Sequence, residues 1–152
     1  MQTNKLISEY SNDFFNWINQ HIAILKEHRL EEIDIEHLIE ELEDMGKSNV
    51  RELESRLIVL IAHLLKWQFQ SDKRSSSWNG SIVEQRVRLL RLLKKMPSLK
   101  RELQSAIEDA YSDAILIASR ETGLPETIFP RLCSYSVEQL LNIEFYPNNE
   151  KS

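Results

Sequence analysis

The chain is expected to fold as an all-α compact bundle of five or six helices, with a C-terminal segment packed across it. Three observations point there. Apolar residues recur at helical spacing along most of the sequence, and no stretch sustains the period-two alternation of a strand. Only 3 Gly and 4 Pro interrupt 152 residues, so turns are few. Charged residues make up 28% of the chain against 41% apolar, which suits a small core inside a charged exterior. A chain of this length fits one domain that buries roughly 70% of its unfolded surface. The expected single domain spans 1–152, with an ordered core from about 11 to 147.

Each element has its own signal. A first helix is expected from about Asn12 to His28, capped by Ser11, with Phe14, Trp17, Ile18, Ile24 and Leu25 on its apolar arc. After a link containing Leu30 and Ile33, Asp34 caps a second helix. Ile35, Leu38, Ile39, Leu42 and Met45 form one stripe on it, and Gly46 stops it. A third helix runs from Ser48 to about Gln70. Between Leu57 and Leu65 only His63 is polar, so this helix is apolar nearly all round and belongs in the interior. The polar stretch from Ser71 to Ser77 ends it. Trp78-Asn79-Gly80 reads as a turn, and Ser81 with Glu84 has capping-box spacing for a fourth helix ending near Met96. Pro97-Ser98 opens a fifth helix to about Thr122, with Leu99, Leu103, Ala106, Ile107, Ala110, Ala114 and Ile117 on one face. Gly123 and Pro125 stop it, Leu124 to Pro130 is irregular, and Ser136 with Gln139 starts a last short helix.

Charge and cysteine usage narrow the function classes. A net charge of −5 argues against broad nucleic-acid binding, which needs a basic face. The single cysteine, Cys133, allows no internal disulfide and reads as a small buried hydrophobe in a reducing, cytoplasmic compartment. The polar N-terminus lacks the apolar core of a signal peptide. The longest apolar run, Leu57 to Ala62, is far below the ~20 residues that span a bilayer, so no membrane partner is expected.

The fourth helix places a charge where an apolar residue belongs. Ile82, Val83, Val87, Leu89, Leu90 and Leu93 form its apolar arc, and Arg86 lies near the middle. A guanidinium keeps its proton and is costly to bury unpaired, so a carboxylate partner is expected, with Glu41 of the second helix the first choice. His21 lies within the first helix's arc and His63 within the third. A buried polar cluster of Arg86, Glu41, His63 and His21 follows, flanked by Trp17, Trp67 and Trp78. Such a cluster reads first as an ion pair and two hydrogen-bonded histidines that fix helix register, and second as a functional site. His21, His63 and Glu41 are metal-ligand types, but they come from three helices without supporting spacing, and Arg86 would repel a cation. The Glu-x-x-His signature of di-iron bundles is absent. No metal and no cofactor are expected.

Arg56 and His63 stand seven residues apart on one helical face, a spacing that resembles the loose pattern of HEPN-type helical ribonucleases. There His63 would act as acid and base and Arg56 would stabilise phosphate charge. Against it, the residues between them are wholly apolar, and Glu52 offers Arg56 an ordinary surface pair. Lys66, Lys73 and Arg74 mixed with Trp67, Phe69 and Trp78 read as a solvated helix end with packed aromatics. Glu31-Glu32 and Glu40 to Asp44 form an acidic surface, a solvated face that could also meet a basic partner.

Several segments match one family in order. They are Asp13-Phe-Phe-Asn-Trp17, the run from Ile35 to Gly46, His63-Leu-Leu-Lys-Trp-Gln68, Ser77-Trp78 with Glu84-Gln-Arg86, Glu121-Thr-Gly-Leu-Pro125, and Phe129-Pro130 through Phe145-Tyr-Pro147. With these the chain resembles the bacterial family catalogued as domain of unknown function number twenty-nine, over Asp13 to Pro147. The resemblance implies an all-α, single-domain protein and carries no activity with it. Glu41, His63, Trp67, Trp78 and Arg86 all fall inside the matching segments. The functional expectation is a non-enzymatic protein-interaction or regulatory module with a protein partner. The alternative is a HEPN-like ribonuclease or RNA-binding protein using Arg56 and His63. A metal-dependent enzyme stands third.

Overall fold

The computed structural model describes residues 8–148, and among these every regular element is helical, so the expected all-α class holds. The α-helices are α1 (Phe14–Lys26), α2 (Ile35–Phe69), α3 (Ser76–Lys95), α4 (Leu103–Thr122) and α5 (Val137–Leu141). Short 3-10 turns occupy Leu30–Glu32, Ser71–Lys73, Pro97–Glu102 and Glu126–Ile128. The chain divides into two compact units, one ending at Ser48 and one beginning at Asn49. None of the described helices is long and apolar enough to cross a membrane.

In the first unit, residues 8–12 are helical and the chain breaks at Asp13. Asp13, not Ser11, caps α1, because its carboxylate accepts the Asn16 N–H at 3.2 Å. The buried arc of α1 is Trp17, His21 and Ile24, whereas Phe14 and Leu25, expected in the core, are each 41% exposed. The helix ends in a Schellman motif: His28 N–H donates to Leu25 O (3.1 Å) and Arg29 N–H to Ile24 O (3.0 Å), with His28 at φ 55°.

The expected break at Gly46 does not occur. A single helix of 35 residues, α2, runs through it. Among the described residues the only glycine at positive φ is Gly123. One helical glycine costs about 1 kcal/mol relative to alanine, and no proline follows Gly46 to force a stop. Continued backbone hydrogen bonding outweighs that cost. Asp34 does cap the helix as expected, its carboxylate accepting the His37 N–H at 3.4 Å.

In the second unit, the C-terminal half of α2 is the centre of the core. Leu53, Leu57, Leu60, Ile61, Ala62, Leu64 and Leu65 are buried, as the nearly all-apolar run requires. They pack in one cluster with Ile82, Leu89 and Leu93 of α3 and with Leu103, Ala106, Ile107, Ala110 and Ala114 of α4. α3 starts earlier than expected. Ser75 accepts the Trp78 N–H at 3.2 Å, so Trp78-Asn79-Gly80 forms the first turn of the helix rather than a loop. Glu84, expected in a capping box with Ser81, instead pairs with Arg88 one turn on, at 3.0 Å. Pro97 opens a 3-10 turn, and α4 proper begins at Leu103. Gly123 ends α4 at φ 77°, a left-handed conformation that glycine adopts without strain. Ser136 and Gln139 close a reciprocal capping box on α5, and Phe129, Tyr135 and Leu140 carry the C-terminal segment across the core.

Continuity of α2 has a direct test in Gly46→Ala. A Cβ there meets nothing within 4 Å. The substitution is expected to raise stability by about 0.5–1 kcal/mol in urea unfolding. A glycine holding a left-handed helix stop would give a loss of similar size.

Candidate functional site

Arg86 sits at the centre of the buried arc of α3 and is 0% exposed. The carboxylate expected to face it is not its partner. Nε–H donates to Leu140 O (2.9 Å), Nη1 to Phe145 O (2.7 Å) and Nη2 to Gln139 O (3.0 Å). Two of these carbonyls lie in the last turn of α5 and carry its negative end; Gln139 O also takes the Asn142 N–H at 3.3 Å. A planar fork of donors is therefore matched by backbone dipoles instead of a formal charge. Burial pushes the guanidinium pKa down while Tyr146 pushes it up, and Arg86 stays charged. The rings of Phe145 and Tyr146 lie 5.9 and 5.6 Å from its Cζ. Tyr146 also packs on Trp67 at 5.0 Å and donates its hydroxyl proton to Asn79. Arg74 lies over the other ring of this pair, 4.8 Å from the Trp67 ring centroid, and donates to the Trp67 carbonyl at 2.8 Å.

Nearby on α2 stands a group expected on a solvated helix end and found buried. Lys66 is 4% exposed, bonds the Glu121 carboxylate at the end of α4, and lies 4.8 Å from the Trp78 ring centroid. His63 donates Nδ1–H to Val59 O at 2.8 Å, and Nε2 makes no hydrogen bond among the described residues. Burial, the largest effect, lowers the His63 pKa; the Val59 carbonyl opposes it, Lys66 adds to the lowering, and Glu121, the smallest effect, raises it. The imidazole is thus neutral at pH 7, with Nε2 as an acceptor. The signal for Lys66 and Glu121 was that both lie inside the family-like segments His63–Gln68 and Glu121–Pro125.

Arg56 does not share a partner with His63. It is half-buried, sits 3.9 Å from Glu52, and its Nε is buried without a hydrogen bond. Seven residues of helix set the two apart by roughly 10 Å along the axis. A separate cleft of about 340 Å³ is lined by Ile107, Tyr111, Arg131 and Cys133. Burial raises the Cys133 thiol, keeping it protonated, which fits a packing role rather than a nucleophilic one.

The first unit gathers His21 and Glu41 into a different network. His21 donates Nδ1–H to Trp17 O (3.0 Å) and accepts the Asp34 N–H at Nε2 (3.0 Å), so both ring nitrogens are used. The Asp34 carboxylate is buried. It accepts His37 Nδ1–H at 2.6 Å and Trp17 Nε1–H at 3.2 Å. Burial alone would raise its pKa, but the hydrogen bonds from His37 and Trp17 outweigh burial and hold it below the usual carboxylate value. Glu41 accepts the Tyr10 hydroxyl, which raises the Tyr10 pKa, and the Tyr10 ring stacks on His37 at 3.8 Å. The hydrogen bonds of the four expected cluster members thus fall in separate sets. Arg86 and Glu41 pair with carbonyls and a phenol, not with each other.

That network decides which side of α2 is used. Asp34, His37 and Glu41 share one face, and it is this polar face that bonds Trp17 and Tyr10. The apolar stripe lies about a quarter-turn further round. It is open: Ile35 is 60% exposed, Ile39 50%, Leu42 59% and Met45 64%. Four of the five residues of the stripe expected to be core are surface, and the fifth, Leu38, is half-buried. Among the described residues no three His, Cys, Asp or Glu side chains group as a metal site.

The family model for domain of unknown function DUF29 matches residues 9–146. The chain belongs to this family. The DUF29 match takes in the Tyr10–Glu41 network, the open stripe, the Lys66–Glu121 pair and the Arg86 fork together. No curated protein and no solved structure matches the chain.

Removing the guanidinium would take a donor from three carbonyls, of which Gln139 O keeps the Asn142 N–H. Arg86→Ala is expected to cost about 3 kcal/mol or more, and Arg86→Lys, which cannot reach all three, about 1–2 kcal/mol, read from urea midpoints. A full-length protein indifferent to both substitutions would mean that Arg86 does not hold the C-terminal segment.

Proposed function

We propose that this protein is a non-enzymatic interaction module that docks a partner protein through the open apolar stripe of α2. One observation carries the reading. Ile35, Ile39, Leu42 and Met45 stand exposed in a row on one helical face, where ordinary patterning would bury them. Burying such a side chain is worth roughly 1.5–3 kcal/mol, so a partner that covers four of them gains a substantial part of a binding energy. Phe15 at 74% and Leu30 at 58% add further exposed apolar surface in the same unit. A lone, half-buried and protonated thiol is consistent with the reducing cytoplasmic compartment proposed for it. The ribonuclease alternative has less behind it, because Arg56 and His63 have separate partners and are spaced along the helix rather than converging.

A photo-reactive residue placed at Leu42 in the native host tests the reading. It is expected to trap a discrete protein adduct that disappears when Ile39 and Met45 are both changed to Gln, while the same probe at the exposed Glu108 traps none. The Gln changes are expected to shift stability by no more than about 0.5 kcal/mol each. No adduct at position 42, or one insensitive to the Gln changes, would overturn the proposal.

A further inference from the structure

We propose that the segment received by the stripe is an amphipathic helix edged with lysine and arginine, an inference that rests on the interaction reading above. Charge around the stripe points to this occupant. From Glu31 to Asp44 the sequence holds eight Asp and Glu and no Lys or Arg. Three of the eight are committed within the unit: Glu32 to Arg29, Asp34 to His37 and Trp17, and Glu41 to Tyr10. The other five, Glu31, Glu36, Glu40, Glu43 and Asp44, are exposed and make no ion pair among the described residues. At 100° per residue, Glu36 and Glu43 run along the edge of the stripe next to Ile39, with Glu40 just beyond. The whole stretch 8–48 carries eleven Asp and Glu against three Lys and Arg, although the full chain is only at −5. Negative charge is concentrated around the apolar face.

The same charge selects among occupants. Anionic lipid and nucleic acid are repelled by it. A second copy of the chain would set one acidic border against another. A helix with basic flanks gains apolar burial in the middle and opposite charge at the rim, the arrangement of a specific interface. Shape agrees. Ile35, Ile39, Leu42 and Met45 span three turns, roughly 15 Å, the length over which one helix packs along another.

The test is a displayed library of helical peptides, with charge and apolar positions randomised, selected on the full chain. Enriched peptides are expected to carry apolar residues at i, i+3 or i+4, and i+7, bordered by Lys or Arg. Their binding should fall about tenfold or more between about 0.15 and 0.5 M salt. A similar fall is expected in the triple variant Glu36→Gln, Glu40→Gln, Glu43→Gln, which leaves the apolar stripe intact. Enriched peptides with neutral or acidic borders that still depend on Ile39 and Leu42 would overturn the basic partner and leave the interaction reading standing. Sedimentation showing a dimer that Leu42→Gln dissociates would do the same in favour of a second copy. Peptides indifferent to Ile39→Gln and Leu42→Gln, or no enrichment at all, would overturn both.

Discussion

A carboxylate held out of water must be matched by donors, and in the first unit that requirement on Asp34 decides how the helices meet. Asp34 caps α2 with one oxygen and takes the His37 ring and the Trp17 indole on the other. His21 completes the join by spending one nitrogen on the Trp17 carbonyl and the other on the Asp34 backbone. Leaving any of these groups buried and unmatched would cost a few kcal/mol, comparable to the apolar burial that the competing face of α2 could have supplied. The bonded polar face therefore turns inward, and Ile35, Ile39, Leu42 and Met45 turn out. The exposed stripe is a consequence of the buried network.

The second unit answers the same constraint differently. There the buried group is a cation, Arg86, and the matching negative end comes from the backbone of the C-terminal segment. The five-residue α5 is too short to be stable alone. Its capping box fixes the start, and the Arg86 fork takes the Leu140 carbonyl and shares the Gln139 carbonyl with the Asn142 N–H. Tilted ring packing of Tyr146 on Trp67 and its hydroxyl bond to Asn79 hold the chain just beyond. In each unit a titratable side chain organises the packing, and neither depends on a formal Arg–carboxylate bridge.

Much of this was legible in the sequence, for identifiable reasons. Helical periodicity gave the all-α class, and the nearly unbroken apolar run from Leu57 to Leu65 gave the central helix of the second unit. Asp34, Gly123 and Ser136 were recognisable as end signals because each satisfies or frees a specific backbone group. Each departure has its own physical cause. Gly46 and Gly80 read as breaks because glycine permits a left-handed turn, but permission is not a requirement, and both remain helical. The stripe on α2 read as core because periodicity reports that a face is apolar without reporting what competes with it. Arg86 was correctly placed inside, yet its partners were carbonyls, and backbone acceptors leave no mark in a sequence. Lys66 and Glu121 are 55 residues apart, so only folding could pair them.

The open face of α2 underlies both the orientation of this helix and the docking surface, and one measurement addresses it directly. Methyl-labelled full-length protein can be titrated with a soluble paramagnetic probe while the Ile and Leu resonances are followed. The methyls of Ile35, Ile39 and Leu42 should broaden strongly, with those of Leu57, Leu60 and Ile61 unaffected. Protection of Ile39 and Leu42 equal to that of Leu57 would mean that the stripe is packed, and would contradict both the orientation of α2 and the docking surface built on it.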